Sequence, residues 1–95
     1  MKIFNEVVEA NIETLQQYVP IVDRVHGDSH PEFHDVKRVF DEINSKLKES
    51  QKPELTDEFK ELRKITENYT IPEDVCESYE AVYKMLEDLD KAYAG

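Results

Sequence analysis

Apolar residues recur at spacings of three and four in four segments of the chain, the period of helices that each bury one stripe. In the first segment, Phe4, Val8, Ile12, Leu15, Val19 and Val22 form the stripe, with Ile3 and Val7 beside it. The spacing predicts a helix over about 2–26. Pro20 lies inside it, and a proline has no N–H and crowds the preceding turn, so a kink or interruption is expected near Gln16. Gly27 is expected to stop the helix.

Phe33, Val36, Phe40, Ile43 and Leu47 continue the pattern and predict a second helix over about 30–49, ending before Pro53. Ser29 with Glu32 three positions on reads as a capping box at its start. Leu55, Phe59, Leu62, Ile65 and Tyr69 predict a third helix over about 54–68. Thr70 and Glu73 form a second capping box with Pro72 in the first turn, and Val75, Cys76, Tyr79, Val82, Tyr83, Leu86 and Leu89 carry a fourth helix over about 72–93. Connections of only a few residues make consecutive helices antiparallel neighbours. The expected fold is therefore all-α: one domain over residues 1–95, an antiparallel up-down four-helix bundle.

Composition narrows the functional classes. With 95 residues, 39% hydrophobic and 36% charged, the chain can build one modest core but no second domain or large cleft, and its regular apolar spacing excludes disorder. The net charge of −10 excludes nucleic acid as a partner, because phosphate binding needs clustered cations. The charge is uneven: residues 1–35 sum to −5, residues 36–64 to +1 and residues 65–95 to −6, together −10. The more basic middle is expected to place opposite charges on the rims of neighbouring helices, the outer ones included.

Cys76 is the only cysteine, so no internal disulfide forms and a reducing, cytoplasmic setting is the expectation. Met1–Ala10 mixes Asn5, Glu6 and Glu9 among its apolar residues, unlike a signal-peptide core. No run approaches the roughly 20 apolar residues of a membrane span, so no membrane partner is expected.

Candidate chemistry gathers at one corner, where His26, His30 and His34 follow one another at four-residue spacing. His30 and His34 share a helix face and can chelate a metal, with His26 across Gly27 as a third ligand; the plainer reading is an exposed corner of local hydrogen bonds. The HPEFH segment lacks the glutamate after the first histidine that a zinc-protease motif needs. Cys76 falls in the apolar stripe and reads as an inert packed thiol, with Glu73, Asp74 and Glu77 opposing a thiolate. Tyr79 and Tyr83 read as core or rim residues whose hydroxyls reach water. Glycine-rich phosphate loops and hydrolase-type nucleophile constellations are absent from the sequence, so neither an enzymatic activity nor a cofactor is expected.

The run Arg24, Val25, His26, Gly27, Asp28, Ser29, His30, Pro31, Glu32, Phe33 resembles the "VHG, then HPE" corner of the hemerythrin-like proteins that repair iron–sulfur clusters, the RIC family. The run from Asn68 through Tyr69, Thr70, Ile71, Pro72, Glu73, Asp74, Val75 and Cys76 to Tyr79, Ala81, Val82, Tyr83, Leu86 and Leu89 is similar to the segment opening that family's last helix. Together with the Pro20 helix leading into the first run, the likeness covers most of the chain in the family's order. The resemblance implies a hemerythrin-like bundle, but the family's di-iron ligands do not map onto this sequence. By register the first histidine falls at Asn5, the helix-two His-x3-Glu at Ser50 and Glu54, and the helix-three histidine near Lys52. The last two overlap unless the bundle is shortened, and the final His-x3-Glu would fall beyond Gly95. His26 stands 21 positions from Asn5, roughly 30 Å along a helix, at the end opposite the iron.

What the resemblance implies is a shortened bundle without the di-iron centre. The function expected is that of a non-catalytic interaction or accessory protein in iron–sulfur repair or in nitrosative and oxidative stress. The alternative is a metal-binding repair or stress-response protein that uses the corner histidines His26, His30 and His34 or an intersubunit site. A bundle shortened in this way leaves Ile3, Phe4 and Tyr93 short of partners, so an apolar homodimer is expected, or failing that a different protein partner.

Overall fold

A computed structural model describes residues 3–50 and 53–94. Four helices make up its regular structure: α1 (Phe4–His26), α2 (Glu32–Glu49), α3 (Thr56–Ile65) and α4 (Glu77–Ala94). They form an all-α four-helix bundle, 35 × 24 × 22 Å. Successive helices run antiparallel, as their cross-contacts show. Phe4 at the start of α1 meets Tyr93 at the end of α4, with ring centroids 5.4 Å apart. His26 at the far end of α1 meets Cys76 just ahead of α4. Arg38 and Lys46 of α2 pair with Glu61 and Glu58 of α3, in opposite order along the two helices.

The apolar stripes close on one another to form a single core. Leu15 and Val19 of α1, Phe33 and Ile43 of α2, Leu62 of α3, and Leu86 of α4 are wholly removed from solvent. Burial of this kind supplies most of the stability of helices too short to persist alone. Among the described residues, no helix is long and apolar enough to cross a membrane.

Local details depart from the sequence expectations, each for a physical reason. α1 is unbroken through Pro20, which stands on its exposed face. Gly27 ends α1 with right-handed backbone angles, and its N–H reaches the Asp23 carbonyl. The position needs glycine for closeness: a Cβ there would lie 2.5 Å from His34 Cε1 and would overlap the Asp23 carbonyl oxygen. Neither capping box forms. Pro31 precedes α2 with no side-chain cap, and Glu32 turns to His30 instead of the Ser29 amide.

α4 begins about five residues later than its apolar pattern suggests. Glu67, Asn68 and Tyr69 take left-handed backbone angles in succession (φ 53°, 60° and 63°) and reverse the chain after α3. The Tyr69 N–H donates to Thr66 Oγ1 (2.8 Å), and the Tyr69 hydroxyl donates to Asp90 Oδ2 (2.8 Å). The Thr70 hydroxyl donates to the Glu67 carbonyl, and with α4 starting only at Glu77 there is no helix start beside Thr70 for it to cap. Ile71 and Val75 then pack the connection onto the core.

Opposite charges meet across helices mostly between α2 and α3 (Arg38–Glu61 and Lys46–Glu58) rather than against the outer helices. Arg63–Asp90, 2.7 Å, is the lysine or arginine pair that reaches from α3 to α4 among the described residues. Phe4 and Tyr93 are not left without partners. Phe4 meets Phe59 and Tyr93 edge-on, and the Tyr93 hydroxyl accepts the Leu55 N–H at 2.9 Å. Ile3 is exposed, as expected, and among the described residues Ile21 and Val25 are the other exposed large apolar side chains.

Candidate functional site

The antiparallel order carries the end of α1, the start of α2 and the α3–α4 connection to the same end of the bundle. His26 closes α1, His30 sits in the connection before α2, and His34 is in the first turn of α2. Each imidazole has its own partner. His26 Nε2 lies 3.1 Å from Cys76 Sγ. His30 holds Glu32 Oε1 on Nδ1 (2.9 Å) and Asp74 Oδ1 on Nε2 (3.0 Å). His34 Nδ1 stands 2.6 Å from Asp23 Oδ1, outside hydrogen-bond alignment.

His30 is the best-defined member. A neutral imidazole has one N–H, whereas two ionised carboxylates flanking both ring nitrogens require two donors, the imidazolium form. The Glu32 hydrogen bond, reinforced by Asp74, holds the His30 pKa above its ordinary value of 6.5 against the opposing effect of burial.

Tyr79 forms the floor of the corner. Its ring lies 5.5 Å from both His26 and His30, edge-on in each case. Its hydroxyl shares a 2.9 Å hydrogen bond with that of Tyr83, and both are buried rather than open to water. Burial is the main reason both phenols are pushed above their ordinary range. They are therefore protonated hydrogen-bonding core residues at neutral pH.

Of the three sequence candidates for a metal, His26 and His30 come near one another, with ring centroids 6.5 Å apart, while His34 turns to Asp23. Among the described residues no group of three or more histidine, cysteine, aspartate or glutamate side chains is arranged to hold a metal ion. Cys76, read from its stripe as packed and inert, is exposed. It immediately precedes α4, so the helical register that would have buried it does not extend to it. Cys76 and Asp74 lie 50 and 44 positions from the histidines they meet. The signal that could have joined them is topological: in an up-down bundle the end of helix one adjoins the start of helix four.

The opposite end is where the resemblance places the di-iron ligands. Asn5 is exposed there, and Phe4, Phe59 and Tyr93 fill the space between α1, α3 and α4. Glu54 accepts hydrogen bonds from the Thr56 and Tyr93 hydroxyls, and the Thr56 bond is the main reason its carboxyl pKa is lowered. Ser50 is exposed at the end of α2, and Lys52 lies outside the described residues. Three aromatic rings and one carboxylate are not the imidazole and carboxylate set that such iron needs, so the residues do not fit that group.

No protein-family model matches the chain, and no curated protein or solved structure matches it.

Proposed function

We propose that this chain is a non-catalytic helical accessory protein. On this reading it is related to the hemerythrin-like iron–sulfur repair proteins whose motifs it resembles, and it serves repair or the nitrosative and oxidative stress response through protein partners, a second copy included. The observation that carries the reading is the packing of Phe4, Phe59 and Tyr93 at the end of the bundle where the resemblance would place iron. On this reading the family's ligand positions carry Asn5, Ser50, Lys52 and Glu54 instead, and the aromatic contact packs the helix ends beside Asn5 and Glu54. The two motifs of the resemblance lie together at the opposite end, around His26, His30 and Cys76.

The test is recovery of a [4Fe–4S] dehydratase in cells exposed to nitric oxide, with and without the gene. The reading expects slower recovery when the gene is deleted and no repair when the purified protein is mixed alone with the damaged enzyme. Unchanged recovery in the deletion, or repair by the isolated protein, contradicts it.

A further inference from the structure

The corner pairs an exposed nucleophile with a proton acceptor, a combination that the accessory reading does not use. Cys76 is exposed, and its backbone carbonyl accepts the Glu80 N–H at 3.2 Å, which fixes it at the entrance of the 18-residue α4. His26 Nε2 is 3.1 Å from its sulfur, within reach for transfer of the thiol proton. The edge-on contact with Tyr79, 5.5 Å between centroids and 83° between planes, steadies the imidazole in that position. Glu73, Asp74 and Glu77 are exposed around the thiol, on a chain whose net charge is −10.

We infer that Cys76, with His26 as its proton acceptor, is a stoichiometric thiol–disulfide exchange site for small neutral or cationic disulfides. His26 Nε2 takes the proton from Cys76 Sγ, and the thiolate attacks one sulfur of the disulfide. The Cys76–sulfur bond forms as the disulfide bond of the reagent breaks. The departing thiolate then takes the proton from the His26 imidazolium and leaves as a thiol. The disulfide is the oxidant, and no other reactant is consumed. The acidic rim selects among reagents: it draws in cations and repels multiply anionic disulfides over about a Debye length. This inference is independent of any role in iron–sulfur repair.

The test is intact-mass spectrometry of the purified, reduced chain incubated at neutral pH with cystamine, with bis(2-hydroxyethyl) disulfide or with oxidised glutathione. One adduct per chain is expected, absent from Cys76→Ser. Cystamine should react fastest and oxidised glutathione slowest, and the spread should narrow at high salt. His26→Gln keeps the bulk of the side chain but cannot take the proton, and should slow the neutral reagent by about tenfold, less than a typical general-base effect because free thiols are already a few per cent thiolate at neutral pH. If the circular dichroism of His26→Gln shows a lost fold, the wild-type chain unfolded in urea removes the pair equally and should show the same slowing. No adduct, an unchanged rate when the pair is removed, or oxidised glutathione reacting as fast as cystamine would overturn the inference.

Discussion

His30 Nε2 and Asp74 Oδ1 are 3.0 Å apart across 44 positions of sequence, and Glu32 Oε1 holds the opposite ring nitrogen of His30 at 2.9 Å. One imidazole thus ties the start of α2 to the α3–α4 connection. His26 and the Tyr79 ring face it from α1 and α4.

The raised pKa of His30 makes that tie pH-dependent. The folded value lies above the ordinary 6.5, so its stabilisation is full below 6.5 and is lost as pH rises through the folded value. His30→Gln should therefore destabilise the chain more at about pH 5.5 than at an alkaline pH above the folded value, where the wild-type imidazole has lost its proton as well. Urea denaturation of both proteins at the two values measures the gap. A gap that stays constant or widens with pH contradicts the imidazolium assignment.

Asp90 is buried, accepts Arg63 Nη1 at 2.7 Å and accepts the Tyr69 hydroxyl at 2.8 Å. Asp90→Ala leaves that hydroxyl without its acceptor and should cost about 2–3 kcal/mol, with the half-exposed guanidinium regaining water. Asp90→Asn keeps an acceptor and should cost less. Equal losses for the two variants in denaturant titrations would show that the acceptor contributes nothing.

Gly27→Ala places a Cβ against the His34 ring and the Asp23 carbonyl, and should destabilise by about 1–3 kcal/mol, as overpacking does. Adding His34→Ala removes the ring and should restore part of the loss, leaving the backbone overlap. A double-mutant cycle with no coupling would mean that the ring simply moves aside.

Ile21 and Val25 stand one turn apart on α1 and, with Ile3, are the large apolar side chains exposed among the described residues. The accessory reading expects them to support a homodimer, twice the 11.2 kDa chain mass, by light scattering at low and at high salt. An assembly held by charge would loosen as salt screens it. A monomer in both conditions contradicts the homodimer and leaves a different protein as the partner.

The period of the apolar residues was enough to place four helices and nearly all of the core, because stripes such as Phe33, Val36, Phe40 and Ile43 have only one way to be buried. Boundaries were harder to read. Thr70 and Glu73 match a helix start, but Glu67 to Tyr69 spend three residues on a left-handed reversal anchored by Asp90, a contact that no local pattern encodes. Ser29 and Glu32 match a capping box as well, yet His30 offers Glu32 a charge-assisted partner stronger than a backbone amide. The three histidines stand out in the sequence, whereas the fourth apolar stripe starts about five residues ahead of α4 and so places the exposed Cys76 in the core. Its pairing with His26 depends on helix adjacency, which spacing along the chain does not contain.

Elemental analysis of the protein purified from an iron-replete host tests the central claim most directly. With Phe4, Phe59 and Tyr93 packed where the resemblance would put the metal, the account predicts no stoichiometric iron and no oxo-bridge absorption. About two iron atoms per chain, the complement of a di-iron centre, with that absorption present, would contradict it.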